Sequence, residues 1–147
     1  MSFEYIVNRR VEFSETDMAG IVHFSNFFRF METAEHGFYR SLGFSVILSQ
    51  YDPPLGFPRV HAECDYKKPL RFEDLLEIRI LVAEKRPKVL SYIFRFTKID
   101  GENRVEVAVG RLTVVCVSHA IDGKMASVTI PDEIFDKIQV APTELLQ

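Results

Sequence analysis

Cysteine is scarce in this sequence and tryptophan is absent, since the 147 residues include two cysteines and no tryptophan. Cys64 and Cys116 stand far apart and lack the Cys-x-x-Cys spacing typical of zinc and redox motifs, so we expect no bound metal. Two isolated cysteines fit a disulfide framework poorly. They fit a reduced intracellular compartment.

Long hydrophobic runs and an excess of one charge are also missing. No apolar run approaches the roughly 20 residues that a membrane span needs, and the N-terminal segment MSFEYIVNRR is charged too early for a secretory signal. Lys and Arg total 18 against 21 Asp and Glu, a net charge of -3. The sequence has no dense basic run with interleaved aromatic residues, which argues against nucleic acid as the main partner. We expect a soluble cytoplasmic protein that binds neither membrane nor nucleic acid.

The hydrophobic content, 47% of residues, is enough for one domain spanning residues 1–147 to bury a core. The segment from Asn26 to about Leu42 has apolar residues at three- and four-residue spacing, which predicts an amphipathic helix with a wide aromatic face. Ser25 or Phe24 lies near its start as a cap would, and Gly43 follows its end as a glycine stop would.

Four later segments are rich in β-branched and aromatic residues and alternate over part of their length, which predicts strands. Asp100-Gly101 predicts a hairpin turn and Arg86-Pro87-Lys88 another reversal, so neighbouring strands should be antiparallel. Residues 50–58 are proline-rich and predict a loop, and residues 131–138 predict a short helix. One long helix with a curved, mainly antiparallel sheet is an α+β arrangement. The predicted strands span residues 59–67, 75–84, 89–99 and 103–118.

The most informative segment runs from Val11 to Phe28, VEFSETDMAGIVHFSNFF. It places Asp17 in a Gly-containing turn, after an alternating apolar segment and before the predicted helix. The first amides of a helix lack intrahelical partners and carry the positive end of the helix dipole, so they can hold an oxygen that becomes negative during a reaction. A carboxylate beside such amides suggests acyl chemistry. An Asp in a turn is also commonly a residue that bonds nearby amides.

This segment resembles the signature of hotdog-fold acyl-CoA thioesterases of the 4-hydroxybenzoyl-CoA thioesterase type. That signature is an aromatic-ending strand, an acidic residue, a turn of small residues and Gly, two aliphatic residues, aromatic residues or His, and Asn followed by an aromatic. Many relatives have His where this chain has Phe24 and Tyr where it has Phe27, so the roles of those polar groups do not carry over. More loosely, the resemblance covers about residues 4–130, and it implies the hotdog fold. The matching residues are Tyr5 to Phe13, Asp17, Ala19, Gly20, Ile21, Val22, His23, Phe24, Asn26 and Phe27.

The resemblance also implies a site. In matching families the acid at the position of Asp17 acts on the thioester carbonyl, either as the nucleophile that forms a mixed anhydride or as the base that activates water. The residues leave both possibilities open. The family's arrangement maps the oxyanion donor onto the backbone amide of Phe24, and Gly20 suits a turn that other residues adopt poorly. We expect an acyl-CoA thioesterase that releases a small aromatic or fatty acid and coenzyme A without a cofactor.

Other polar residues support weaker hypotheses. His23 lies six residues after Asp17 and could move protons because an imidazole titrates near neutral pH, although a His among apolar residues is more often packed or hydrogen-bonded. Glu32, Glu35 and His36 on the helix raise a second enzyme class, because hotdog dehydratases and hydratases use a His and a carboxylate on acyl thioesters. A third possibility is a non-catalytic module that binds acyl-CoA or acyl-carrier protein.

Substrate binding calls for cations near the nucleotide and an apolar pocket for the acyl group. Lys85, Arg86 and Lys88 lie at a strand reversal and could contact the coenzyme A phosphates, as basic residues at similar places do in relatives, although solvated surface charge explains them equally well. Phe27, Phe28, the Pro53-Pro54-Leu55 loop and Phe57 could line the acyl pocket or simply pack in the core.

Two expectations concern metal and assembly. The cluster of His61, Glu63, Cys64 and Asp65 should not hold a metal, because alternate residues of a strand point to opposite faces. Long apolar strands leave a sheet edge that invites pairing, so we expect a homodimer or homotetramer with active sites at subunit boundaries.

Overall fold

The computed structural model describes residues 1–119 and 123–147. This part of the chain contains eight strands, one long α-helix and two α-helices of a single turn. Five strands make one antiparallel sheet in the order β1-β4-β5-β6-β3, and three short strands make a second sheet in the order β2-β7-β8. The strands are β1 (Glu4–Arg10), β2 (Leu55–Gly56), β3 (Arg59–Tyr66), β4 (Leu75–Lys85), β5 (Val89–Asp100), β6 (Asn103–Val115), β7 (Val117–His119) and β8 (Met125–Ser127).

The long helix α1 spans Asn26–Ser41 and lies against the five-stranded sheet. It ends one residue before the predicted boundary and Gly43 follows it as expected. Gly37 lies within the helix and faces Tyr5 on β1. A Cβ at this position would lie 2.4 Å from Cε2 of Tyr5, so the glycine permits close packing of the helix on the sheet. The arrangement confirms the predicted hotdog fold. The buried residues of α1 are Phe27, Phe30, Met31, Ala34, Glu35, Gly37, Phe38 and Tyr39.

Several predicted boundaries were wrong. The strand predicted over residues 103–118 divides at Cys116, whose amide donates to the carbonyl of Lys88 at 2.8 Å. The first strand ends at Arg10 rather than continuing to the aromatic Phe13, which begins a 3-10 turn, Phe13–Glu15. The helix predicted over residues 131–138 is a single turn, α2 (Asp132–Phe135), and another turn, α3 (Thr143–Leu146), follows.

The two ends of the sheet matter for function. We call the end where β5 turns into β6 the Asp100 end, and the end where β4 turns into β5 the Lys88 end. The register pairs Arg10 with Leu75 and Leu75 with Ile99, so β1 finishes at the Asp100 end. Arg59 pairs with Val114, so β3 begins near the Lys88 end and runs toward the other.

β3 is an edge of this sheet, and seven of its eight residues are exposed. None of the described helices has the length and apolar content needed to cross a membrane.

Candidate active site

Asp17 begins a tight hairpin that precedes α1. The Asp17 amide donates to the Ile21 carbonyl at 2.9 Å, the Gly20 amide donates to the Asp17 carbonyl at 2.9 Å, and Thr16 bridges to Val22. Gly20 has a φ of 80°, the left-handed conformation predicted for it. The Val22 amide also donates to the Leu70 carbonyl at 2.8 Å, so the hairpin is fixed to the loop before β4 at the Asp100 end.

The Asp17 carboxylate has one oxygen engaged and one available. Oδ1 accepts a hydrogen bond of 2.9 Å from the Ala19 amide, the local role that Asp often has in turns. The side chain is exposed, and Oδ2 has no hydrogen-bond donor among the described residues. Asp17 therefore both shapes the hairpin and presents a carboxylate oxygen that a second molecule can reach.

The first amides of α1 are less available than the sequence suggested. Asn26 donates to the His23 carbonyl at 2.9 Å, Phe27 to the Phe24 carbonyl at 3.3 Å and Phe28 to the Ser25 carbonyl at 3.2 Å. A tight turn just before the helix uses these amides, because Ser25 already has helical backbone angles. The Phe24 amide, in contrast, donates to no acceptor among the described residues, and the residue is exposed.

Ser25 and His23 bond to each other. The Ser25 hydroxyl does not cap the helix, so the predicted polar cap was wrong, and instead it lies 2.7 Å from His23 Nδ1. The Ser25 amide also donates to Nδ1 at 3.3 Å. Because an amide can only donate, Nδ1 is the acceptor and the neutral ring carries its proton on Nε2. The ring packs on Phe24, with centroids 4.6 Å apart. This is the packed, hydrogen-bonded role usual for such a His.

Asn26 connects the helix start to the segment before the hairpin. Its side-chain amide donates to the Glu15 carbonyl at 2.8 Å, and the His23 amide donates to the same carbonyl at 2.9 Å. The Glu15 carboxylate in turn accepts from Arg9 on β1 at 2.5 Å. The Asn of the signature thus holds the hairpin and α1 in one arrangement.

Tyr66 is a site residue that the sequence did not indicate. Its hydroxyl donates to the Phe24 carbonyl at 3.0 Å, and its ring packs edge-on against Phe27 with centroids 5.1 Å apart. Burial of the hydroxyl raises the pKa of Tyr66 to about 12, so the phenol remains a donor at neutral pH. A tyrosine at the end of a strand has no sequence signal for this contact, which depends on β3 lying beside the helix start.

A buried ion pair lies farther along α1. Glu35 is 1% exposed, and its two oxygens accept from Arg59 at 2.5 and 3.2 Å. Burial raises the pKa of Glu35, and the attraction of the Arg59 guanidinium partly offsets this effect. Glu32 is half exposed and lies 4.0 Å from Arg59, and His36 is half-buried. These helix residues of the dehydratase hypothesis therefore line one cavity together with Arg59, about two to three turns from the start of α1.

The three cations predicted to bind coenzyme A have different surroundings. Lys85 donates to the Ile138 carbonyl at 2.8 Å and lies 3.9 Å from the ring centroid of Phe135, so its ammonium packs on the C-terminal segment. Arg86 is exposed and lies 3.5 Å from Glu84. Lys88 is exposed. All three lie at the Lys88 end, whereas Asp17 follows the strand that finishes at the Asp100 end.

A second basic surface lies at the Asp100 end and was missed. A cavity of about 520 Å³ there is lined by four cations, of which Lys98 lies 3.5 Å from Asp74 and Arg104 lies 2.6 Å from Glu77. The side chains of the other two, Lys68 and Arg71, have no acidic partner among the described residues. The sequence gives no signal for this cavity, because its cations come from separate segments.

The predicted acyl-pocket residues divide between core and surface. Phe27 is 3% exposed and packs against the ring of Phe96, so it belongs to the core. Phe28 and Phe57 line separate cavities beside α1. Pro53 and Pro54 are exposed.

His61, Glu63, Cys64 and Asp65, which the sequence predicts not to hold a metal, all lie on β3. His61 lies 3.5 Å from Glu63, and the thiol of Cys64 has its pKa raised to about 11 by burial. Over residues 1–119 and 123–147, no three His, Cys, Asp or Glu side chains are grouped closely enough to hold a metal ion.

A long helix on an antiparallel sheet, with a carboxylate in the hairpin before the helix, defines a protein of the hotdog class. The chain belongs to the thioesterase-like superfamily, whose family model matches residues 11–138.

Individual relatives agree with this membership. A protein of Aquifex aeolicus (strain VF5), provisionally named an esterase, is 35% identical over 135 residues, which are 92% of this chain and 98% of the relative. A 1,4-dihydroxy-2-naphthoyl-CoA hydrolase of Nostoc punctiforme (strain ATCC 29133 / PCC 73102) is 31% identical over 91% of this chain and 84% of its own. The solved structure of a gentisyl-coenzyme A thioesterase is 31% identical, with a TM-score of 0.77 over 92% of this chain and 100% of that one.

Proposed function

We propose that this protein hydrolyses an aromatic acyl-CoA thioester to the free acid and coenzyme A, with Asp17 as the catalytic carboxylate. The proposal rests on two groups near the start of α1. Among the described residues, one oxygen of the exposed Asp17 carboxylate accepts no hydrogen bond, and the Phe24 amide donates none. An acyl transfer needs both a group that attacks or activates and a donor for the oxyanion.

The reaction follows from these two groups. The thioester carbonyl oxygen accepts a hydrogen bond from the Phe24 amide, which polarises the carbonyl and stabilises the negative oxygen of the tetrahedral intermediate. If Asp17 attacks, its oxygen forms a mixed anhydride as the carbon–sulfur bond breaks, and water then hydrolyses the anhydride. If Asp17 is a base, it takes a proton from the water that attacks the carbonyl. In both routes coenzyme A leaves as a thiolate and is protonated.

The aromatic acyl group is proposed from the relatives. Two of them, each 31% identical to this chain, carry names that specify hydroxylated aromatic acyl groups, the 1,4-dihydroxy-2-naphthoyl and gentisyl thioesters. Phe28, in the first turn of α1, offers an aromatic surface to such a ring.

We also propose that the active unit is a homodimer, or a homotetramer built from dimers, with each site shared between subunits. In one protomer, the exposed cations Arg86 and Lys88 and the Asp17 hairpin are associated with opposite ends of the sheet, separated by about the length of β5, roughly 35–40 Å for its 12 residues. Antiparallel pairing of two β3 edges would bring the Lys88 end of one subunit beside the Asp100 end of the other. This pairing would also cover the exposed edge strand.

Free thiol release from a panel of acyl-CoA thioesters tests the proposed activity. We expect turnover with benzoyl-CoA and hydroxylated benzoyl-CoA thioesters. A change in double-bond absorbance without thiol release would instead indicate a dehydratase or hydratase. Thermal stabilisation by acyl-CoA or acyl-carrier protein without any turnover would indicate a binding module, and either result would contradict the proposal.

Label found in the protein after a single turnover in H₂¹⁸O, with enzyme in excess, would identify the nucleophilic route for Asp17. In the nucleophilic route, water can attack the mixed anhydride at the Asp17 carbonyl, so ¹⁸O then appears in the protein. In the general-base route, ¹⁸O appears only in the acid product.

A further inference from the structure

A groove runs between α1 and the edge strand β3, which lie side by side in opposite directions. At one end the Tyr66 hydroxyl contacts the Phe24 carbonyl at 3.0 Å. Farther along, Arg59 contacts Glu35. Just before β3, Phe57 packs on Tyr39 with ring centroids 5.8 Å apart. The groove therefore leads away from the Phe24 turn, where the thioester is proposed to bind.

Two cavities occupy this groove in sequence. The nearer cavity, of about 290 Å³, is lined by Phe28, Ala62 and Leu112 and by the cation Arg29. The farther cavity, of about 250 Å³, is lined by the apolar or aromatic residues Tyr39, Val46 and Phe57 and by the polar side chains of Glu35 and His36. Arg59 and Glu32 line both cavities. Because the Glu32 side chain is 54% exposed and Arg59 is held across the groove, Arg59 is the group that separates them.

The position of Arg59 is fixed by strong contacts. Its guanidinium donates to both oxygens of Glu35 and, at 3.1 Å, to the Phe57 carbonyl. Glu35 is almost fully buried, so moving Arg59 away would leave a carboxylate without its cation in the protein interior, which is costly. A register irregularity between Arg59 and His61 interrupts the pairing of β3 at this point. Arg59 is thus a rigid barrier rather than a mobile surface side chain.

We propose that Arg59, held by Glu35, ends the acyl groove and restricts this enzyme to short or single-ring acyl groups. The inference rests on the proposed thioesterase activity. The nearer cavity alone lies just below the roughly 300–1,000 Å³ typical of pockets for drug-sized ligands, whereas the two cavities joined would fall within that range. A long aliphatic chain would meet a guanidinium that blocks its path and that would lose hydration against the chain.

The test compares chain-length profiles. For wild-type protein, Arg59→Ala and Arg59→Lys, kcat/KM is measured for benzoyl-, hexanoyl-, decanoyl- and dodecanoyl-CoA. We expect Arg59→Ala to raise the ratio of decanoyl to benzoyl kcat/KM by at least about tenfold, the lower end of the roughly 10- to 200-fold discrimination that one methylene can produce. Arg59→Lys keeps a long cationic side chain and should give a ratio close to that of the wild type.

Two further variants test whether a changed profile comes from the loss of the barrier, from the unpaired charge of Glu35 or from the loss of any nearby cation. Arg59→Ala leaves Glu35 unpaired, so the double variant Arg59→Ala/Glu35→Gln removes both charges and should show the same shift in a protein with a cooperative thermal transition. Arg111→Ala removes a cation from the adjacent strand β6, where Arg111 lies 3.7 Å from Glu63, and should not change the profile.

Distinct results would overturn the inference and the activity on which it rests. Wild-type protein that hydrolyses benzoyl-CoA but shows the same decanoyl-to-benzoyl ratio in Arg59→Ala and in the double variant would overturn the barrier alone. Equal wild-type activity on decanoyl- and benzoyl-CoA would do the same. Wild-type protein that releases thiol from none of the four substrates would overturn the proposed thioesterase, and the barrier with it.

Discussion

The Tyr66 hydroxyl donates a hydrogen bond of 3.0 Å to the carbonyl oxygen of Phe24, the residue whose amide is the proposed oxyanion donor. This contact ties the edge strand β3 to the turn before α1. Since an oxyanion donor is effective only when it is held in place beforehand, we expect Tyr66 to act as a positioning residue for the Phe24 amide. Any partner subunit that pairs with β3 would bind next to the same turn.

Removal of the Tyr66 hydroxyl tests this relationship. Tyr66→Phe keeps the ring packed on Phe27 and removes one hydrogen bond, whose net value of about 0.5–1.5 kcal/mol corresponds to a roughly 2- to 10-fold fall in kcat with KM little changed. Tyr51→Phe is the matched control, because the Tyr51 hydroxyl bonds to Glu133 near the C-terminus, and it should leave kcat unchanged. Equal kcat values for both variants and the wild type would show that Tyr66 has no positioning role.

The contribution of the cations to coenzyme A binding can be measured by charge removal. The double variant Arg86→Ala/Lys88→Ala should raise KM with little effect on kcat, and rising salt should weaken substrate binding more in the wild type than in the variant. Lys68→Ala/Arg71→Ala makes the same change in charge at the basic cavity of the Asp100 end and should leave KM unchanged. If only the second variant raised KM, the nucleotide would bind at the basic cavity instead.

Mixing two inactive or weakened variants tests whether a site is shared. A dimer that combines an Asp17→Asn subunit with an Arg86→Ala/Lys88→Ala subunit has one site with both intact groups if the cations come from the partner. Refolding the two together should therefore restore a low KM at up to half of the sites. Sedimentation should show a dimer or tetramer at micromolar concentration. A fully active monomer, or a mixture that keeps the raised KM of the cation variant, would contradict shared sites.

Breaking the Glu35–Arg59 ion pair should lower the free energy of unfolding by an amount that depends on pH. Burial raises the pKa of Glu35 above its unfolded value, so the folded state binds the proton more tightly and the contribution of Glu35 to the free energy of unfolding declines as pH rises. Arg59→Met removes the cation that opposes this rise and should strengthen the decline.

The expected loss of unfolding free energy for Arg59→Met is about 1–3 kcal/mol at pH 7, below the 3–5 kcal/mol typical of a fully buried pair because the Arg59 side chain is 30% exposed. The loss should be smaller at pH 4.5 than at pH 7, because a raised pKa leaves more of Glu35 protonated at the lower pH. Urea unfolding at both values measures it. Arg111→Met, at an exposed pair, should change stability by less than about 0.5 kcal/mol. A loss for Arg59→Met that did not depend on pH would contradict the assignment.

Much of the fold could be predicted from the sequence because local patterns and tertiary contacts agree. The aromatic spacing after Asn26 gave the helix start, and the alternation around Asp100-Gly101 gave the β5–β6 hairpin. Residues 103–118 were predicted as one strand because hydrophobic alternation continues through Cys116. The break there depends on a backbone bond to Lys88, which local sequence cannot encode.

The candidate site was only partly predictable for the same reason. Asp17 and Gly20 lie within one short turn, so their spacing carries the signal. Tyr66 and Arg59 contact their partners across 42 and 24 residues of sequence, and neither belongs to a recognisable motif. The sequence also suggested free amides in the first turn of α1, but the tight turn before the helix occupies those of Asn26, Phe27 and Phe28.

The most direct test of the central claim is the turnover number of Asp17→Asn beside that of His23→Ala. Asn keeps the shape of the side chain and an oxygen that can accept the Ala19 amide, but it can neither form the anhydride nor take a proton from water. We predict a folded protein of unchanged oligomeric state and near-normal substrate affinity, with kcat lowered by roughly two to four orders of magnitude, while His23→Ala loses much less. An Asp17→Asn variant that retained most of its thiol release, with His23→Ala inactive, would contradict the assignment.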